Sequence, residues 1–99
     1  MKFTMLTALA AFTLTASGAL ALGQKECDLQ GGLVMQVVEA RKSGADNGAA
    51  AQLVQAGLDG EAQKYGAIVP AVVDWVYTLP EAQLGTAVGD SWVEGCLKQ

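Results

Sequence analysis

The sequence predicts a small all-α domain, a bundle of about four helices with one disulfide linking its chain ends. Three observations carry this. Apolar residues recur at three- and four-residue spacing along most of the chain, and no useful stretch alternates with a period of two. Aspartates, glycines and prolines fall where such helices would begin and end. The two cysteines, Cys27 and Cys96, flank the whole helical region.

The segment before that region has a different character. Lys2 is the only charge before Lys25. An apolar run from Phe3 to Thr15 follows it, and Gly18 precedes Ala19-Leu20-Ala21, small residues at the two positions that a signal peptidase reads. Residues 1–21 are therefore expected to be a secretory signal and 22–99 a single small domain. Cleavage is expected after Ala21, with Gly23 as the second site. An uncleaved anchor is the rival reading, since Phe3 to Leu22 carries no charge, but threonine, serine and glycine dilute the run. A lipidated cysteine is disfavoured because Gln24-Lys25-Glu26 precedes Cys27 in place of small apolar residues. The expected destination is the periplasm if the source is Gram-negative, and otherwise the exterior.

The domain is acidic. Removing Lys2 with the signal takes the formal charge of the chain from −4 to −5. Such a surface has no footprint for nucleic acid and suits anionic lipid poorly. No stable membrane insertion is expected once the signal is gone. A domain this small buries only about 60% of its unfolded surface and benefits from a staple. An exported chain meets an oxidising compartment, where an even cysteine count reads as pairing. A Cys27–Cys96 bridge closes a ring worth about 4 kcal/mol at most in the loop-entropy account. Free buried thiols and an intermolecular bridge are the alternatives.

The elements follow in order. Asp28 can cap a first helix running to Lys42, with Leu29, Leu33, Val37 and Ala40 on one face and Val34 and Val38 beside them. Arg41 and Lys42 suit its C-terminal dipole, and Gly44 is a natural stop. Gly31-Gly32 costs that helix about 1 kcal/mol per glycine relative to alanine, and would let a neighbour approach closely. Asp46 or Asn47 caps a second helix, Gly48 to Leu58, with Ala50, Leu53, Val54 and Leu58 inward. Asp59-Gly60 is a turn.

The third segment is the most apolar. Tyr65, Ile68, Val69, Val72, Val76 and Leu79 keep helical spacing, with Val73, Trp75 and Tyr77 widening the stripe, and this helix is expected at the bundle centre. Pro70 either sits in its first turn or kinks a longer helix from Glu61. A kink or break is favoured because Gly66 carries the carbonyl that Pro70 leaves unpaired. Pro80 to Leu84 forms a short turn. Thr86 then caps the last helix, to Leu97, where Val88, Trp92 and Cys96 share a face.

Chemistry is constrained mostly by composition. Histidine is absent, so the commonest general base and metal ligand is missing. No Cys-x-x-Cys or phosphate-cradling glycine loop is present. Asp74 and the pair Asp90 and Glu94 are the candidate carboxylates, and each reads better as solvated surface, since nothing brings a second group to it. Asp46-Asn47-Gly48 lacks the alternating acids and closing glutamate of a calcium loop. No catalytic residue, cofactor or metal is expected. Two features point to a partner surface instead: the basic pair Arg41 and Lys42, and the aromatics Trp75 and Tyr77, since arginine and aromatics are common interface anchors. Helix-dipole pairing and core packing are the plainer readings of the two.

With the signal, the flanking cysteine pair and the acidic helical middle in view, the chain resembles small two-cysteine periplasmic proteins of proteobacteria. In architecture it is similar to the HdeA-type acid-stress chaperones, which are small, helical and stapled by one disulfide. It departs from them in its very long ring, its few lysines and the lack of basic clusters near its ends, and no functional residue carries over. The expected function is thus an exported, non-enzymatic helical binding or accessory protein that holds a protein partner. The resemblance adds an acid-responsive chaperone as the alternative.

The export reading has a direct check. Intact mass of the released protein should place its first residue at Leu22 or Gln24. A full-length product embedded in membrane would overturn it.

Overall fold

The computed structural model describes residues 22–99, and the signal assigned to residues 1–21 lies outside them. Four α-helices and two 3-10 segments follow one another: α1 Gln24–Lys42, α2 Asn47–Gly57, a 3-10 segment Gly60–Ile68, α3 Val69–Val76, a short 3-10 turn Glu81–Gln83, and α4 Thr86–Leu97. No strand occurs among the described residues. The all-α, four-helix reading of the sequence holds.

α1 starts earlier than its expected cap. Gly23 takes the N-cap position and its carbonyl accepts the Cys27 amide at 3.1 Å. Asp28 is one turn inside, accepting from the Gln24 side chain at 2.9 Å. Glu26 in the first turn suits the positive end of the helix dipole, which favours extending the helix back past Asp28. At the other end Gly44, with φ of 97°, adopts the left-handed conformation that stops a helix. Its amide bonds Arg41 O at 2.9 Å, and the Ala45 amide bonds Ala40 O at 3.1 Å. Asp46 caps α2 as expected, its Oδ1 accepting the Ala49 amide at 2.8 Å.

The long third helix is not one helix. Residues 60–68 wind as a 3-10 helix, and α3 begins at Val69 with Pro70 in its first turn. Proline has no amide hydrogen, and its ring would press on the Gly66 carbonyl in a continuous α-helix. That carbonyl accepts instead from the Val69 amide and, at 2.9 Å, from Gln55 Nε2. Ala62, Tyr65 and Ile68 pack on the core at three-residue steps, the period of a 3-10 helix. Three-residue steps also belong to an α-helical stripe, so spacing alone does not separate the two. Leu53 departs from its expected place as well, at 60% exposed. α2 buries Ala50 and Val54, with Leu58 buried just past its end, and Leu53 lies about 100° round the helix from Val54. Thr86 is the first residue of α4, while Gly85 occupies the cap position without a side-chain bond.

The core is largely valine. Val34, Val37, Val38, Val69, Val72 and Val76 are fully buried around Leu33, and no polar or charged side chain among the described residues is buried with them. α1, not α3, is the hub, packing against α2, the long 3-10 segment, α3 and α4. Its length of 19 residues lets it run beneath all of them.

The bridge Cys27–Cys96 joins the start of α1 to the last turn of α4, with both cysteines buried and Cα atoms 5.6 Å apart. Cys27 is near the start of the described domain, not at an end of the full chain. Beside the bridge the two helices meet at glycines. A Cβ built on Gly31 would stand 2.5 Å from Val93 Cγ2, and one on Gly89 would stand 2.7 Å from Met35 Cγ. Gly32, one residue on, faces open space.

The two adjacent glycines should therefore respond to alanine with opposite signs. Gly32→Ala should raise stability by about 1 kcal/mol through helix propensity. Gly31→Ala should lower the melting temperature despite the same gain, because Val93 must yield. Thermal melts of the two variants check this, and a stabilised Gly31→Ala would mean that the helices are not in close contact there.

Candidate functional site

The four residues proposed from sequence fall into two places. Arg41, in the last turn of α1, is half-buried, and its Nη1 donates to Val76 O and Leu79 O, each at 2.7 Å. These carbonyls lie at and beyond the C-terminal end of α3, where helical carbonyls lack internal partners. The guanidinium carbon also lies 5.4 Å from the Tyr77 ring centre, within cation–π range. Tyr77 donates its hydroxyl to Ala45 O in the α1–α2 loop. Burial pushes the Tyr77 phenol above its usual value, and the Arg41 charge partly offsets this. Arg41 and Tyr77 thus use their polar groups to fasten the end of α3 to the end of α1. Lys42 points outward and makes a loose 3.8 Å pair with Glu39.

Trp75 lies elsewhere, against α4. Its ring centre is 5.5 Å from that of Trp92, with the planes tilted by 49°, a spacing and tilt that aromatic pairs favour. Trp92 Nε1 donates to Gln30 Oε1 at 2.9 Å, which fixes this ring against α1. Trp75's indole N–H makes no hydrogen bond among the described residues and is not buried. The pair walls an open groove of about 480 Å³, lined also by Leu22, Gln30, Ser91, Gly95, Cys96 and Gln99. A second trough, past Trp75 and Ser91, continues along α4 toward Leu79 and Leu84. The combined surface is aromatic and aliphatic with neutral hydrogen-bonding groups, and none of the groove's side chains carries a charge.

The sequence places Trp92 only on the face of α4 with Val88 and Cys96 and does not mark it, Gln30 or Ser91 as site residues, although a signal for two of them exists. Gln30 is three residues after Cys27 and Trp92 four before Cys96, so each shares its cysteine's side of a helix. Pairing the cysteines therefore brings the amide and the indole together. The carboxylates stay apart: Asp74, Asp90 and Glu94 are exposed and neither bond nor pair with one another. No group of three or more cysteine, aspartate or glutamate side chains among the described residues is placed to hold a metal ion. No described helix is long and apolar enough to cross a membrane.

A third cluster is polar. Glu26 on α1 accepts the Tyr65 hydroxyl and pairs with Lys64 Nζ at 2.8 Å, both from the long 3-10 segment. The Lys64 and Tyr65 hydrogen bonds hold the Glu26 carboxyl below the usual carboxylate range. The same contact raises the Lys64 ammonium and, with burial, the Tyr65 phenol.

No protein-family model, curated protein or solved structure matches this chain.

The adjacent cations on α1 give a sharp test of this geometry. Arg41→Met should cost about 2 kcal/mol, since it leaves two carbonyls without their charged donor. Lys42→Met should stay within about 0.5 kcal/mol of the parent, as exposed pairs contribute little. Denaturant unfolding of both variants measures the difference, and equal losses would refute the capping role of Arg41.

Proposed function

We propose that this is an exported, non-enzymatic binding module, and that the Trp75–Trp92 groove receives an apolar side chain of a protein partner. The observation that carries the reading is the groove itself, a half-buried tryptophan pair with one indole N–H unbonded among the described residues, beside neutral amides and a hydroxyl. A tryptophan wall offers much apolar area at little entropic cost, and the free N–H can meet a backbone carbonyl of the bound segment. The lack of any titrating side chain along the groove argues for holding over catalysis. Arg41 and Tyr77 are moved from the partner surface to the scaffold, and Lys42 remains at the rim of a different face.

Export is supported by the Ala19-Leu20-Ala21 pattern and the bridged cysteine pair, with the periplasm as destination in a Gram-negative source. Cleavage after Ala21 is favoured over Gly23 because it keeps the Gly23 carbonyl that caps α1. The acidic surface speaks against nucleic acid as partner.

Ser91 allows a test that spares the fold. It is exposed and borders both troughs, so Ser91→Arg should block them while changing stability by no more than about 0.5 kcal/mol. Crosslinked capture from the exported fraction should fail with Ser91→Arg and persist with Lys42→Met. Retained capture by a folded Ser91→Arg would dismiss the groove. Protection of aggregating clients in acid, unaffected by Ser91→Arg, would favour the acid-chaperone reading instead.

A further inference from the structure

We propose that Glu26 is the latch of an acid-released clasp, which holds the 3-10 segment Gly60–Ile68 against the start of α1 and frees it while the valine core stays assembled. The inference is independent of the groove. It begins with how little else holds the segment. None of its side chains is fully buried, and it touches the core only through half-buried Ala62, Tyr65 and Ile68. Four side-chain contacts fasten it to α1: Tyr65 Oη to Glu26, Lys64 Nζ to Glu26 at 2.8 Å, Lys25 Nζ to Glu61 Oε2 at 3.0 Å, and Tyr65 to the Gln30 amide.

All but the Gln30 contact end on a carboxylate oxygen, so acid removes the negative charge from three of the four. Glu26 bears two of them, and its side chain is only 26% exposed, against 55% for Glu61. It is therefore the less screened of the two acceptors. The charged groups facing Glu26 are Lys64 from the segment and Lys25 from its own helix, with the Tyr65 phenol beside them. Glu61 adds its charge next to both lysines. Asp28 and Asp59 stand along a neighbouring crevice between α1 and the segment, which Lys25 and Glu61 also line. No charged group of α3 or α4 bonds or pairs with Glu26 among the described residues.

The direction in pH follows from the contacts. A carboxyl held below its unfolded value contributes its full stabilisation above that value, and loses it as pH falls through the folded one. The raised Lys64 and Tyr65 act in the opposite sense, contributing below their unfolded values and losing it as pH rises through the folded ones. The clasp is thus closed at neutral pH and opens in acid. The segment's amide contacts do not share this sensitivity, and of these the 3.4 Å bond from Gln63 Nε2 to Leu58 O near its start is the longer. Gln55 holds the Gly66 carbonyl at 2.9 Å with an amide, and Pro70 follows within the first turn of α3. The segment should therefore swing from its Gly66 end, uncovering the α1 face at Leu29 and Leu33 that borders the crevice.

Residue-resolved hydrogen exchange on the oxidised protein tests this, using protection factors that correct for intrinsic rates. Acidification should reduce protection severalfold more in residues 60–68 than in Val72–Val76. Glu26→Gln should show the same local loss already at neutral pH, and Glu61→Gln should show less of it. Loss of protection spread evenly over all four helices in acid would overturn the proposal. So would a folded Glu26→Gln that keeps 60–68 protected. If Glu26→Gln does not fold, the wild-type comparison of segment with core decides alone.

Discussion

The close approach of α1 and α4 is the constraint on which the other contacts depend. Gly31 and Gly89 let the helices approach closely enough for Val93 and Met35 to pack over the bare glycine backbone, and the Cys27–Cys96 bridge closes the end of that contact. Once these axes are set, Gln30 meets Trp92 and Trp92 meets Trp75. The long α1 then presents the rest of its length to α2 and α3, which complete the core with two short rows of aliphatic side chains. A valine core has no polar group to specify register, so the glycine contact and the peripheral polar bonds supply it.

Much of this was legible in the sequence where local chemistry acts alone. Gly44 stops α1, Asp46 caps α2, and Val88, Trp92 and Cys96 share a face, because each depends on neighbours within a turn or two. The failures share a different cause. The 3-10 winding of residues 60–68 shares its three-residue steps with an α-helical stripe, and the Gly66 carbonyl is met partly from another element, by Gln55. Leu53 and Leu58 read alike as apolar positions, yet only the second faces a partner helix. Arg41 fits the dipole of its own helix so well that nothing local betrays its bonds to the end of α3.

The candidate sites were half legible for the same reason. Trp75 stood out as an edge of an apolar stripe, but an edge can face either a neighbour or water, and Trp92 makes it do both. The acidic composition suggested sensitivity to acid only in bulk. Placing Glu26 between Lys64 and Tyr65 turns that general property into a particular contact, and this required the fold. The molecule thus separates its labours: apolar packing in the middle, backbone capping by Arg41 and Tyr77 at one end of α1, and ionisable contacts at the other.

The bridge has a further consequence for the domain's resistance to cleavage. With 69 positions separating its two cysteines, nearly every loop of the described domain lies inside the covalent ring. A protease that nicks the turn at Ser43–Asp46, or the one at Leu79–Gly85, would convert the ring to an open two-ended chain without releasing a fragment. The pieces would remain tethered at high local concentration, with the Gly31–Gly89 contact still holding α1 to α4. Only a second cut, or reduction of the bridge, would let them part, so the molecule carries an inherent tolerance of a single backbone break.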